Sequence, residues 1–466
     1  MKKGINVGFG LLLMGLIFGS CRKEDSITTD ASAKLSFSTD TLFFDTVFSQ
    51  FGQSVPVSVT KQLWVINKNS QGVKTNISIK GTANGSVKLN IDGRPTTSIS
   101  GKEIRGNDSI VIFVQLYSNP GNDFIVVDQI LFETNGNNQD VEIVGFGRDA
   151  HYHDAETWDS TVTSITWTND KPHVIYNSIL VEKGQTLTIQ PGTKIYSHIN
   201  STLYIRGSLS VNGTPANPVV FSGDRLDLEY ADIPGQWNGI RILPGSTGKI
   251  EGAILRNGFV GIEVDSAPVI STNPNLIVNQ CIIHNMKAAG IVGYSASILA
   301  VNNLITDCGQ FSFYGALGGN YQLYYNTLSN TNSSSGRQNA QLLLDNTPYD
   351  DGKGTVLKFE LNYVLINNII YGNIEEELLF NNDPNGNQAS TVRDIRNNLL
   401  RTKLTQLNTN NNILNLDPQF ENLDQYKYTL KAESPAKGKA LPVTTVTVDL
   451  NGNSRNATNP TMGAIE

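Results

Sequence analysis

The sequence predicts an all-β chain: a β-sandwich of immunoglobulin-like type followed by a parallel β-helix solenoid. Three observations predict it. Only 17% of the 466 residues are charged, whereas 42 are glycine and 51 asparagine, the two residues that best tolerate positive φ in tight turns. Between Lys34 and Ala150, short apolar runs alternate with turn dipeptides. Beyond His173 the hairpin spacing is lost, and a polar-then-aliphatic signature recurs instead. A hydrophobic fraction of 39% excludes a disordered chain, and a formal charge of −7 without a basic block argues against nucleic acid as a partner.

The N-terminus reads as a secretory signal over residues 1–20. Lys2 and Lys3 precede an apolar run, Val7 to Phe18, too short to span a bilayer. The sequence Gly19-Ser20-Cys21 resembles a bacterial lipobox, which implies that Cys21 is the mature N-terminus and carries acyl chains that anchor the protein in membrane lipid. Residues 21–33, including Arg22-Lys23-Glu24-Asp25, read as a polar linker. Cys281 and Cys308 sit among apolar strand residues and read as core, with a disulfide between them as the alternative.

For residues 34–150 the expected strands include Leu35–Ser38, Leu63–Ile66, Val87–Ile91, Ser109–Leu116, Ile125–Phe132 and Val141–Phe146, with turns at Asn84-Gly85, Asp92-Gly93 and Asn135-Gly136. Residues 151–172 read as an inter-domain linker. The solenoid is expected over 173–416 and its last coils and cap over 417–466. Gln280-Cys281-Ile282, Asn303-Leu304-Ile305 and Asn326-Thr327-Leu328 begin 23 residues apart, and Asn368-Ile369 and Asn398-Leu399 repeat the form. That interval is one coil of three short strands and three turns, with aliphatic ladders inside and asparagine ladders at one turn. The interval Ser329 to Thr355 is expected to protrude as a loop.

Several motifs carry a resemblance. Residues 38–49 (Ser-Thr-Asp-Thr-Leu-Phe-Phe-Asp-Thr-Val-Phe-Ser), Gly223-Asp224-Arg225-Leu226 and Pro234-Gly235-Gln236-Trp237-Asn238-Gly239-Ile240 resemble a Bacteroidetes lipoprotein family with an N-terminal sandwich and a right-handed parallel β-helix. The closing Met462-Gly463-Ala464-Ile465-Glu466 is similar to the tail of many secreted β-helix proteins, with Ile465 in place of the usual Tyr. The resemblance implies a lipid-anchored outer-membrane protein exposed at the cell surface. It leaves activity open, since the fold hosts lyases, other glycan-active enzymes and adhesins.

The candidate ligand-binding residues are Asp224, Arg225, Tyr230, Trp237, Arg241 and Tyr324. Asp224, Asp227, Glu229 and Asp232 have oxygen ligands at a spacing that suits Ca²⁺, and the alternative is pairing with Arg225 or backbone. Trp237 offers a flat face to a sugar or covers the first coils. His151-Tyr152-His153-Asp154 offers metal-type spacing or mere linker polarity. His173, His198 and His284 read as turn or surface residues, and Glu375-Glu376-Glu377 as a solvated turn. Of Phe311, Phe313, Tyr314, Tyr321, Tyr324 and Tyr325, those facing outward would line a glycan groove. No catalytic residue, metal or required cofactor is assigned. The expected function is polysaccharide binding or display without catalysis, the alternatives being a polysaccharide lyase or glycoside hydrolase and an adhesive surface protein.

Overall fold

The computed structural model describes residues 26–48, 58–81, 87–117, 125–154, 164–265, 273–331, 336–350, 352, 354, 356–357, 359–381 and 392–466. Cys21 and the turn Asn84-Gly85 lie outside them. The chain divides into two compact units, 1–149 and 150–466.

In the first unit, apolar residues at every second position give each strand one oily face, and two such faces close on each other. One sheet orders Ser36–Phe37, Ser58–Asn67, Asp108–Tyr117, Val87–Ile91 and Arg94–Pro95; the other orders Thr41–Phe48, Asn137–Arg148, Ile125–Thr134, Val73–Ile79 and Ser98–Ile104. Phe44, Ile77, Phe132 and Ile143 of one sheet and Leu63 and Ile112 of the other are fully buried in a shared core. This is the arrangement an immunoglobulin-like sandwich requires. Asp92-Gly93 (φ 50° and 82°) and Asn135-Gly136 (φ 48° and 78°) make the two-residue turns expected of them. All pairings are antiparallel except that of Thr41–Phe48 with Asn137–Arg148.

The second unit is a parallel β-helix. Its first face is an eleven-stranded sheet from His151–Asp154 to Ile413–Leu414. The second face stacks Ile179–Val181, Thr202–Ile205, Gly239–Ile242, Val260–Val264, the first halves of Ala289–Val301 and Phe311–Tyr324, then Leu342–Asp345 and Leu378–Asn381. The third face runs from Ser164–Trp167 to Arg393–Arg396. The two long strands cross from second face to third by bending at Ser295 (φ 50°) and at Leu317-Gly318 (φ 59° and 78°). Inside, Ile179, Leu203, Ile240, Ile262, Ile291, Phe313, Leu342 and Leu378 form one aliphatic and aromatic row in register. Gly315 makes room for Tyr321, whose ring would stand 2.4 Å from a Cβ there. The buried Tyr321 hydroxyl donates to the carbonyls of Gly293 and Gly318.

An asparagine ladder joins the later coils. Asn303, Asn326, Asn368, Asn398 and Asn412 occupy the position before each first-face strand. Each Nδ2 donates to the next Oδ1 at 2.9–3.0 Å. Each Oδ1 also accepts the backbone N–H of the preceding coil, beginning with Cys281. A second Nδ2 bond runs to a third-face carbonyl, such as that of Ala300 or Leu323. An amide carries the two donors and the acceptor this site needs. Cys281 starts the row without one; both it and Cys308 are buried free thiols, pushed up to about 12 by burial.

Three expected boundaries are corrected. The stretch 151–172 holds solenoid strands, since His151–Asp154 pairs with His173–Tyr176 and Ser164–Trp167 with Thr186–Ile189. Its polar composition hid them, because His153 stands where the next coil has Ile175, and Trp167 where the next coils have Ile189 and Val211. The interval Ser329 to Thr355 supplies a coil strand, Leu342–Asp345, and the hairpin Tyr349–Asp350 with Val356–Leu357 stands exposed. Residues 417–466 add no coil to the parallel sheets. They form an antiparallel hairpin, Phe420–Asn422 with Lys427–Leu430, and then a strap lying back over the first face.

A second row of side chains holds the strap. The residues just before the ladder, Gln280, Asn302, Tyr325, Asn367 and Asn397, all have φ of 52–64°. Their side chains donate to the carbonyls of Asp449, Val448, Leu441, Leu441 and Lys439 respectively. The strap therefore runs opposite to the order of the coils. Arg455 lies over the Tyr325 ring at 4.0 Å and donates to Asn302, Gly463 and Ala464. The closing residues complete the contact: Gly463 N–H donates to the Asn367 carbonyl, and Met462 and Ala464 are fully buried.

Asn368→Ala leaves the amide and side-chain donors of Asn326 buried without their acceptor. It is expected to lower unfolding free energy by about 2–4 kcal/mol, seen as a lower urea midpoint, whereas exposed Asn451→Ala is expected to leave the midpoint unchanged.

Candidate functional site

On a β-helix, residues facing outward from one face recur at every coil, so a row of side chains lines up along the axis. On the second face that row is Leu180, Tyr204, Arg241, Glu263, Val292, Tyr314, Leu343 and Leu379. Its middle forms a groove of about 390 Å³ bounded by Tyr204, Asn238, Arg241, Phe259, Glu263, Tyr294, Gln310, Phe311 and Tyr314. Gly239 opens the strand that carries Arg241; with φ 123° and only 1.8 Å between an added Cβ and the Val260 carbonyl, no other residue fits.

At the centre of the groove Arg241 is held by two acids. Its Nε and Nη2 donate to Asp265 at 2.9 and 3.0 Å, and Nη2 stands 3.3 Å from Glu263. Burial pushes the Glu263 carboxyl above its ordinary range; Arg241 opposes this, and the charge and hydrogen bond of Asp265 add to it. Glu263 thus keeps its proton to a higher pH than a solvated glutamate. Around this cluster, Phe311 and Tyr314 stack at 4.8 Å with planes 22° apart, and Phe259 is 46% exposed. The groove offers half-exposed aromatic faces beside fixed hydrogen-bonding groups, a combination suited to polyhydroxylated rings.

Of the six expected ligand-binding residues, the structure brings only Arg241 into this groove. Trp237 is a correction: it is 1% exposed, stacks near Phe221 in the core, and donates from Nε1 to the Arg256 carbonyl at 2.9 Å, so no ring face is left for a sugar. Asp224 accepts from His198 at 2.7 Å, which raises the His198 pKa. Arg225 pairs with Asp227 at 2.9 Å and lies over the Tyr230 ring at 3.8 Å, so these side chains bind one another within the loop before Gly239. Tyr324 belongs to the third face and is half-buried against the cap core. Phe313, Tyr321 and Tyr325 are buried, while Phe311 and Tyr314 face outward as a groove requires.

Glu263, Asp265, Tyr204 and Tyr294 were not singled out from the sequence. Val260–Val264 reads as an ordinary alternating strand. The available signal was charge at a one-coil offset, because Arg241 and Glu263 are register partners. Of the three glutamates 375–377 expected in a solvated turn, Glu375 is exposed but Glu377 is not. Glu377 is fully buried and bound bidentately by buried Arg337 at 2.7 Å on both oxygens.

The histidines cluster at the start of the solenoid. His153 Nε2 and His173 Nδ1 share a hydrogen bond at 3.0 Å, and Trp167 stacks on both rings at 4.6 Å. His173 is therefore part of a buried plug, not a surface residue. Among the described residues no group of three His, Cys, Asp or Glu side chains is placed to hold a metal ion.

Comparison with known proteins agrees with this architecture. Residues 159–258 match the family described as pectate-lyase like beta helix domain, and residues 219–390 match that described as right handed beta helix region. The second unit is thus a right-handed parallel β-helix. No curated protein matches. Two similar solved structures are glycoside hydrolases. One is a family 123 enzyme from Clostridium perfringens, with 7% identity, 26% of this chain and 30% of that one covered, and a TM-score of 0.20. The other is the catalytic unit of a GH87 alpha-1,3-glucanase from Streptomyces thermodiastaticus, with 11% identity, 67% and 72% covered, and a TM-score of 0.23. The chain thus spans under a third of the first enzyme's length, and neither likeness bears on what the groove accepts.

Burial, with the charges of His153 and His151 added, lowers the His173 pKa to about 4; the Thr168 carbonyl and Asp170 oppose this less strongly. The folded state therefore favours neutral His173. Its contribution is present above the ordinary value of about 6.5 and is lost as pH falls toward 4, on the order of 2–3 kcal/mol. Urea midpoints measured across that range are expected to fall less steeply for His173→Gln than for the wild type.

Proposed function

We propose that the protein is a lipid-anchored cell-surface protein whose β-helix binds polysaccharide in the groove of the second face. The observation that carries this reading is the alignment of Tyr204, Arg241, Glu263, Val292 and Tyr314 on five successive coils, flanked by Phe311 and Tyr294. Stacked coils hold such a row rigid, so a chain-like ligand loses little further freedom in the protein when it lies along it. The immunoglobulin-like sandwich serves as a spacer, and Cys21 supplies the acyl anchor at the outer membrane.

A catalytic reading has one observation in its favour, the raised pKa of Glu263, which suits a general acid. Against it, Glu263 and Asp265 lie two residues apart on the same coil and both bind Arg241. Carboxylates that hydrolyse a glycosidic bond flank it from about 5–9 Å apart. Arg241, the basic residue a lyase reaction would call on, is already held by both acids. Binding without turnover is the better account of this geometry.

Tyr314→Ala, which leaves the coil core untouched, is expected to weaken binding of a recognised oligosaccharide about 3–10-fold in titration calorimetry; Tyr349→Ala, on the exposed hairpin, should not. Equal affinity of wild type and Tyr314→Ala would remove the groove from the account. Cys21→Ala is expected to abolish incorporation of radiolabelled palmitate and release the protein from the membrane fraction.

A further inference from the structure

The groove does not end at Tyr314. A second depression of about 360 Å³ continues along the same face, between Leu343, Leu379, Ile374 and Lys403, and Phe311 forms a wall of both. The outward row passes from Tyr314 to Leu343 to Leu379 in unbroken register. From Tyr204 to Leu379 the row has one residue on each of seven coils, and the six spacings of about 4.8 Å between them span about 29 Å. The two depressions also share a charge pattern. Only Arg241 and Lys403 are cationic among their lining residues. Each is engaged by acids: Arg241 by Asp265 and Glu263, Lys403 by Glu375 at 2.8 Å, with its backbone N–H donating to Glu376. In the second depression Glu375 and Glu376 outnumber Lys403, in the first Glu263 matches Arg241 with Asp265 beyond the lining, and both cations have carboxylate partners already in place.

We propose that the ligand is a neutral polysaccharide lying along the solenoid axis across both depressions, and not a uronate or sulfated polymer. This rests on the groove being a glycan site, and it commits that site to a substrate class. A polymer with a negative charge on every residue would meet carboxylates at Glu263, Glu375 and Glu376, with Arg241 and Lys403 having to break existing pairs to receive it. A neutral chain meets aromatic faces at Phe311 and Tyr314, aliphatic rungs at Leu343 and Leu379, and amides at Asn238 and Gln310. Because a pyranose unit and one coil are of similar length, about six units fill the row.

The full-length lipoprotein in detergent, titrated with gluco-, xylo- and manno-oligosaccharides and with galacturonate and mannuronate hexamers, tests this. At least one neutral series is expected to bind, with affinity rising from the dimer to about the hexamer and changing less than about twofold between low and high salt. Uronate hexamers are expected to bind at least about tenfold more weakly. Leu379→Ser, a change at a 41% exposed position, is expected to weaken the hexamer but not the dimer. Tighter binding of a uronate hexamer than of every neutral series, or a hexamer no tighter than its dimer, overturns the inference while leaving a glycan site standing. Failure of every oligosaccharide to bind overturns the glycan reading itself.

Discussion

The solenoid depends on how its coils are tied at one turn. A parallel β-helix satisfies most of its backbone by stacking, but each turn leaves donors and carbonyls facing inward, where an unmet group is costly. The asparagine ladder answers this with one side chain per coil. Asn326, for example, accepts the backbone N–H of Asn303, donates to Asn368, and donates again to the Ala300 carbonyl. The bonds run along the axis as well as across the turn, so each coil's position is fixed by the next. The residue before each ladder position has the left-handed backbone that turns the chain outward, and at Asn302, Tyr325, Asn367 and Asn397 its side chain grips the strap. In Asn302-Asn303, Asn367-Asn368 and Asn397-Asn398 a two-residue unit therefore does both jobs: the second asparagine closes the interior and the first fastens the exterior.

That rigidity sets the site. With coil spacing fixed by the inner aliphatic row, and by the ladder as well from the coil of Val292 onward, outward residues on the second face have fixed separations before any ligand arrives. The same geometry explains why the groove is centred where it is. The coil that contains Asp224 to Asn238 is lengthened by a loop whose side chains bind one another, and Gly239 returns the chain to register so that Arg241 falls between Tyr204 and Glu263. The loop shapes the approach to the groove without itself supplying a binding face.

Architecture was legible because it rests on periodicity. Alternation and Asn-Gly or Asp-Gly turns gave the sandwich, although Thr41–Phe48, Val73–Ile79 and Ser98–Ile104 were passed over, their runs being broken by polar residues. The interval of 23 residues between Asn303 and Asn326 gave the coil and the ladder. What was not legible depends on register between distant residues. Arg241 needs Glu263, 22 positions on, and Arg337 needs Glu377, 40 positions on, before either pair has meaning. Trp237 shows the converse. A tryptophan between glycines suggests a presented ring, yet here the glycines let the backbone turn so that the ring goes inward beneath Gly258.

The pairing of Arg241 also bears on why a fold shared with pectate-lyase-like domains need not carry their chemistry. An arginine that acts on a uronate must present its charge to the substrate. Here that charge is spent within the protein, in a bidentate bond to Asp265 that orients the guanidinium along the face. Removing one member would leave a half-buried charge without its partner, so the trio is stable only as a unit. What it presents outward is a fixed array of donors and acceptors with a net negative charge beside aromatic rings. On the proposed reading, such an array discriminates among ligands in the ground state, by hydrogen-bond geometry that favours one and by charge repulsion that disfavours anions.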